Sequence, residues 1–327
     1  MKELLENLFY LLIFPGGVFA ICMAMIMAGL DRKLVARMQL RQGPPLIQPI
    51  YDTIKLFGKE IIIPKSANEK AFVIAPFIGL ASILVAPVFI PIYDNVFIST
   101  SADVIVLIYL LTIPAACLVI GGSSSGSFFG GIGASREVVT MIAYELPMVM
   151  AILSVCKKAG IYFGTSAVYS LEHIEAYQIL DGMGILHPSL IPAAIAFLMV
   201  IPAEVGVVPF DMAEAETELC EGPLVEYSGP YLALYKLTSN LKAFVMCSLF
   251  VALFLGGIGL GRTDYNVLNI LINIVLFVLL VLIVMFISIT LVRSVVGRLK
   301  INQGLKFYWI IPSALAFFSF ILVMLGI

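Results

Sequence analysis

Apolar residues dominate this chain in long runs, and the polar residues fall between them. Eight runs are long enough, at about 20 residues, to cross a bilayer as helices. They cover roughly residues 8–30, 70–93, 103–122, 138–156, 187–209, 230–259, 266–291 and 307–327. The pattern predicts an all-α fold, a polytopic membrane helix bundle forming a single membrane domain over residues 1–327. The first run is too long for a signal peptide, and Glu3 and Glu6 spoil the basic region one would need, so a retained anchor is expected. Prolines punctuate several runs (Pro76, Pro87, Pro114, Pro147, Pro192, Pro202). Each removes a backbone donor, which a bundle interior tolerates when neighbouring groups satisfy the freed carbonyl.

Charge orients the bundle. Fifteen Lys and Arg fall in odd-numbered connections or at their edges, against four on the other side. By the positive-inside rule the odd connections face the cytoplasm and both termini lie outside. Tyr308 and Trp309 open the last run, where interfacial aromatics are expected. Composition agrees with a membrane protein: 61% hydrophobic residues, 12% charged, mean hydropathy +1.08. A net charge of −2 implies no nucleic-acid partner. The five cysteines are scattered and form no CxxC pair, and there are two histidines, so no metal site is expected on this chain.

The connection at 31–69 is too long for a turn. DRKLVARMQLRQGPP begins as an amphipathic helix with Leu34, Met38 and Leu40 opposed to Arg37 and Arg41, and GPP stops it. PIYDTIKLFGKE then spaces Ile50, Ile54 and Phe57 on one face, with Asp52, Lys55 and Lys59 on others. Such segments lie in the membrane interface. They read either as a basic anchor to anionic lipid or as a docking ledge for a soluble partner. Nearly 40 residues broken by Gly43-Pro44-Pro45 favour the ledge.

From Ala159 to Tyr235 the chain has no Lys or Arg but ten carboxylates. Seven of them run from Glu204 to Glu226, on the same side as the basic connection, and the two loops are expected to meet. Were Asp211 to Glu221 helical, Asp211, Glu214, Glu218 and Glu221 would share an arc of about 80°, with Glu216 pointing away. An Asp-x-x-Glu capping box explains Asp211 and Glu214; it leaves Glu218 and Glu221 unexplained. Two carboxylates lie deeper. Glu145 sits inside the fourth run, followed by Pro147, and Glu204 follows Pro202. A charge at the bilayer centre costs about 2.5–3.5 kcal/mol and usually faces a bundle interior. Desolvation and crowding raise carboxyl pKa values toward neutrality, where protons exchange. The acidic loop, Glu204 and Glu145 therefore read as a proton or cation path. The stretch GGSSSGSFFGGIGAS (121–135) lacks the lysine of a phosphate loop and reads as a flexible connection leading to Arg136 and Glu137.

Together, RQGPPLIQPIYDTIKLFGKE, GASREVVTMIAYELP and AEVGVVPFDMAEAETELCEGPLVEYSG resemble the subunit 1 (NuoH-type) membrane protein of respiratory complex I and its relatives in membrane-bound [NiFe] hydrogenases. The resemblance runs through most of the chain. It implies a non-catalytic, membrane-anchoring and ion-coupling subunit of a redox-driven pump. It implies that Glu145, Glu204, Asp211, Glu214, Glu216, Glu218, Glu221 and Glu226 occupy the ion or proton path. Arg37, Arg41, Asp52, Lys55, Lys59 and Arg136 would then dock the peripheral arm. Iron–sulfur clusters and a nickel–iron site would sit on partner subunits at the cytoplasmic side, beside antiporter-like membrane partners, and no cofactor on this chain. At Val205, Gly206 and Val207 the complex I pattern, which carries an arginine near its quinone chamber, is departed from. This puts quinone binding in doubt and favours the hydrogenase-type branch. The alternatives are a quinone-binding subunit 1 of an NADH:quinone oxidoreductase and a stand-alone cation/proton antiporter. The cell membrane is the expected location, with the mitochondrial inner membrane as the alternative.

Overall fold

The computed structural model describes residues 8–92, 102–256 and 267–326, and the described residues contain helices and turns with no strand. The helices are α1 (Gly17–Met38), α2 (Gln48–Phe57), α3 (Glu69–Val85), α4 (Asp103–Ser124), α5 (Phe128–Tyr162), α6 (Leu171–Asp181), α7 (Ile191–Val205), α8 (Glu216–Leu219), α9 (Gly229–Phe254), α10 (Val267–Met285), α11 (Leu291–Val295) and α12 (Ile301–Met324). Among the described residues seven helical segments are long and apolar enough to cross a membrane. The expected run at 187–209 becomes α7, only 15 residues. At 1.5 Å per residue it is about 22 Å long, short of a hydrocarbon core of about 30 Å.

Its ends explain its length. Pro192 sits in the first turn, where a missing N–H costs nothing. Gly206 adopts φ +73 and closes the helix. Its N–H donates to Ala203 O and the Val207 N–H to Pro202 O, which ends the run of helical carbonyls.

The centre of the bundle is α9, in which every residue from Phe244 to Phe254 is buried. It packs against α1, α3, α7 and α10, while α12 lies along α5 and α7. Phe197 of α7 meets Phe250 and Phe254 of α9 with ring centroids 6.0 and 6.1 Å apart. The outer faces carry large exposed apolar side chains such as Tyr109, Val275, Ile310 and Phe318. In water these would be a liability; against lipid tails they are the solvated surface.

Several boundaries differ from the sequence reading. From Gly17 onward the first crossing and the amphipathic start of connection one are a single helix, because nothing in DRKLVARM breaks it; a turn at residues 13–16 separates it from helical residues 8–12. GPP then turns the chain back along α1, where a Cβ on Gly43 would lie 3.0 Å from Lys33 Cα. The second amphipathic piece forms α2 as expected, with Pro49 at its start and Ile50, Ile54 and Phe57 exposed.

The glycine-rich stretch is not a flexible connection. Only Ser125–Ser127 leave the helices, and Phe128–Ser135 are the first turns of the 35-residue α5. Its glycines admit a neighbour instead. A Cβ on Gly122 would lie 2.8 Å from Pro223 Cβ, and one on Gly133 2.5 Å from Pro223 Cδ. The last helix begins at Ile301, six residues before the expected 307. Tyr308 is buried, with its hydroxyl donating to Met199 O at 3.0 Å, so only Trp309 faces outward. The runs reaching 93, 259, 266 and 327 end outside the described residues.

Candidate functional site

The acidic segment does not form the expected helical arc. Residues 206–215 are turns and bends, α8 spans a single turn, and Cys220, Glu221 and Gly222 follow at φ 49, 73 and 53. The N-cap of α8 is Ala215, so the Asp211–Glu214 capping box is not made. Three features hold the segment in this shape. Pro223 is seated in the notch made by Gly122 and Gly133. Arg136 Nη1 reaches Glu218 Oε2 at 2.6 Å and Met212 O at 3.3 Å. Arg298 forks onto Asp211, its Nε 3.0 Å from Oδ1, while the Leu299 N–H donates to Pro209 O at 3.1 Å. A regular helix would turn Asp211 and Glu218 to one face; two arginines from opposite sides separate them.

Glu214 lies between these ties, half-buried. Burial first, then the nearby carboxylates of Glu137, Asp211 and Glu221, push its pKa up to about 8, against the opposing effect of Lys236. Glu218 moves the other way: its hydrogen bond to Arg136 holds the carboxyl below its ordinary range. Asp52 is likewise held low, by Arg32 at 2.8 Å, and also accepts from Gln48 Nε2 at 3.0 Å.

Beneath the segment is a cavity of about 390 Å³. Glu137, Glu204, Asp211, Glu214 and Glu221 line it, together with Lys236 and Lys242. At its floor Lys242 Nζ of α9 lies 2.8 Å from Glu204 Oε1 of α7. Both residues are buried, 6% and 3% exposed. At that distance, in a poorly hydrated interior, the opposite charges attract strongly. Glu145 and Glu137, both on α5, lie within the electrostatic reach of Glu204 and Lys242. Tyr144 on the same helix faces Glu204.

The structure thus gathers Glu204, Asp211, Glu214 and Glu221 around one cavity; Glu145, half-buried, is not part of the lining but feels the charges of Glu204 and Lys242. Glu218 sits at the outer edge on Arg136, and Glu226 is not part of the lining. The Glu216 side chain lies outside the described ones. The acidic segment takes its counter-ions from Arg136 and Arg298, not from connection one; of the latter, Arg32 reaches the cavity wall. Of the residues assigned to docking, Arg37, Arg41, Lys55 and Lys59 are exposed. Asp52 and Arg136 are engaged within the chain.

Sequence reasoning missed Lys242 and passed over Glu137. Lys242 was legible by the rule that selected Glu145, since it is an ionisable residue inside an apolar run. Glu137 carried no such signal, because its place at the end of the glycine-rich stretch put it at the membrane edge. Asp31 was missed too. It is buried on α1, about two turns before the end of that helix, and accepts from Thr290 Oγ1 and Arg293 Nη1, each at 2.8 Å.

Comparison with known proteins gives the family. A family model described as NADH dehydrogenase matches residues 11–324. Hydrogenase-4 component C of Escherichia coli (strain K12) is 37% identical over 250 residues, covering 75% of this chain and 76% of that protein. An NADH-quinone oxidoreductase subunit of Dehalococcoides mccartyi (strain CBDB1) is 31% identical over 318 residues, 94% of this chain and 84% of that one. A chain in the structure of the membrane-bound sulfane sulfur reductase, an archaeal respiratory membrane complex, superposes with a TM-score of 0.86 at 29% identity, covering 99% of this chain and 100% of that one. With a match over nearly its whole length, this chain belongs to the NADH dehydrogenase family.

Proposed function

We propose that this chain is the membrane-anchoring and ion-coupling subunit of a complex-I-like redox pump, in which partner subunits perform the electron chemistry. The observation that carries this reading is the cavity that opens at the acidic segment and ends on a buried carboxylate–ammonium pair. Glu221 is exposed, Asp211, Glu214 and Glu137 are half-buried, and Glu204 and Lys242 are buried, all lining the one cavity, with Glu145 in electrostatic reach of the buried pair. A proton entering at the mouth finds a carboxyl group at each stage and needs no excursion into hydrocarbon.

The relatives' names support a shared mechanical role with differing chemistry: one is a hydrogenase component, one a quinone oxidoreductase subunit, one part of a sulfane sulfur reductase complex. A subunit common to all three fits coupling better than catalysis. The cavity wall from Val205 to Val208 offers aliphatic side chains and no side-chain donor, a poor fit for a quinone head. The hydrogenase-type branch is therefore favoured, with iron–sulfur clusters and a nickel–iron centre on soluble partners. The exposed bases Arg37, Arg41, Lys55 and Lys59 would receive those partners on the cytoplasmic side. In this reading α7 makes an eighth crossing with the help of its flanks, where Leu190 and Phe210 are buried among neighbouring helices. Both termini then lie outside the cell membrane.

The test is the assembled complex in proteoliposomes, with ion flux measured per electron transferred. Glu204→Gln and Glu145→Gln are each expected to reduce flux at least tenfold while electron transfer continues. Full pumping by both variants would remove the pathway from this subunit.

A further inference from the structure

One ammonium faces three carboxyl groups. Lys242 lies on Glu204 at 2.8 Å, and its charge also reaches Glu137 and Glu145. The last two are eight residues apart on α5, about 12 Å along the helix axis. Both feel the charges of Glu204 and Lys242. Other basic groups near the cavity are engaged elsewhere: Arg293 on Asp31, Arg298 on Asp211, and Lys236 toward Glu214. Lys242 is therefore the counter-ion these three carboxyl groups share. The Tyr144 hydroxyl also faces Glu204, so that carboxylate has a second polar neighbour beside the ammonium. The flexible four-carbon stem of a lysine lets its ammonium reorient between neighbouring carboxylates.

We propose that Lys242 is the switching counter-ion of the pathway, a positioning residue whose ammonium alternates between Glu204 and the two carboxylates of α5. The inference rests on the pathway reading above and specifies which group sets its direction. When the ammonium leaves Glu204, that carboxylate is left buried and unpaired and takes a proton from Glu137. The O–H bond on Glu137 breaks and one on Glu204 forms. The ammonium then neutralises the carboxylate that Glu137 has become, and Lys242 keeps its three protons throughout. Return of the ammonium to Glu204 expels the proton toward Glu145. Tyr144, whose hydroxyl faces Glu204, is placed to bridge that second transfer.

The test uses Lys242→Met, Lys242→Arg and the charge-balanced double variant Glu204→Gln/Lys242→Met in the assembled, membrane-reconstituted complex. Lys242→Met is expected to transfer electrons while pumping less than a tenth as many ions per electron. Its infrared difference spectrum is expected to gain a protonated-carboxyl band that the double variant lacks. Lys242→Arg is expected to pump poorly as well, since a rigid guanidinium cannot follow the ammonium's path. The double variant should assemble like the parent protein and still not pump. Normal pumping by Lys242→Met, or pumping restored in the double variant, would overturn the proposal, because the pair would then be a static neutralising contact. If Glu204→Gln and Glu145→Gln both abolish pumping while Lys242→Met does not, the pathway stands and only the role of Lys242 falls. If those two carboxyl variants pump normally, both fall.

Discussion

Arg136 of α5 holds Glu218 at 2.6 Å and the Met212 carbonyl at 3.3 Å, so one guanidinium ties both sides of the acidic segment to the longest helix among the described residues. Facing it, Arg298 and the Leu299 N–H hold Asp211 and Pro209. The segment is clamped from two sides, and its shape follows from its partners more than from its own helical preference.

Loss of one clamp should loosen the segment without unfolding the bundle. Partly exposed pairs contribute up to about 1 kcal/mol. Arg136→Ala is therefore expected to raise amide hydrogen exchange across residues 211–222 about fivefold, with α9 unaffected. Equal protection in the variant and the parent would show that Pro223 in its glycine notch suffices.

Glu214 predicts a pH dependence. Its folded-state pKa is raised to about 8 from the ordinary 4.5, so below 4.5 both states are protonated and the group contributes nothing. Between those values the folded state binds the extra proton, and stability falls as pH rises until the folded state ionises near 8. Glu214→Gln should remove this alkaline decline, so its thermal midpoint should vary less between pH 5 and 9 than the parent's. Identical pH profiles would place Glu214 in a wetter setting than its burial indicates.

Asp31 secures α1 to the only π turn among the described residues, Phe286–Thr290. A π turn carries one residue more than the α turn it replaces and shifts the register of the residues after it. Here that register puts Thr290 and Arg293 on Asp31. Hydrogen bonds to a charged group are worth about 1.5–3 kcal/mol, so Asp31→Ala should cost about 2 kcal/mol. It should also lower the thermal midpoint in detergent by several degrees. An unchanged midpoint would mean that packing alone maintains the turn.

How much of the site was legible depends on the range of each signal. Glu145 and Glu204 stand out because an acid in an apolar run is costly wherever that run packs. The same rule applied to Lys242, but its count among the orienting bases hid it. The glycine-rich stretch was misread because glycine marks both a flexible loop and a notch for a close neighbour. Only the presence of Pro223, about 90 residues further on, distinguishes them. The expected helix at 211–221 failed for a related reason. Local spacing permits it, but Arg136 and Arg298 draw Glu218 and Asp211 apart.

By itself the sequence determined the all-helical membrane class, the concentration of acid after Glu204 and the mismatch of buried charge with apolar surroundings. These are sums over short windows, and hydropathy needs no knowledge of neighbours. Only the tertiary structure decided which base meets which acid, how short α7 is in its setting, and that Lys242 meets Glu204 in the interior. Arg136 and Glu218 are separated by 82 residues, and Arg298 and Asp211 by 87. Coulomb interaction in a poorly hydrated interior depends on ångströms between helices, and no local pattern along the chain encodes that distance.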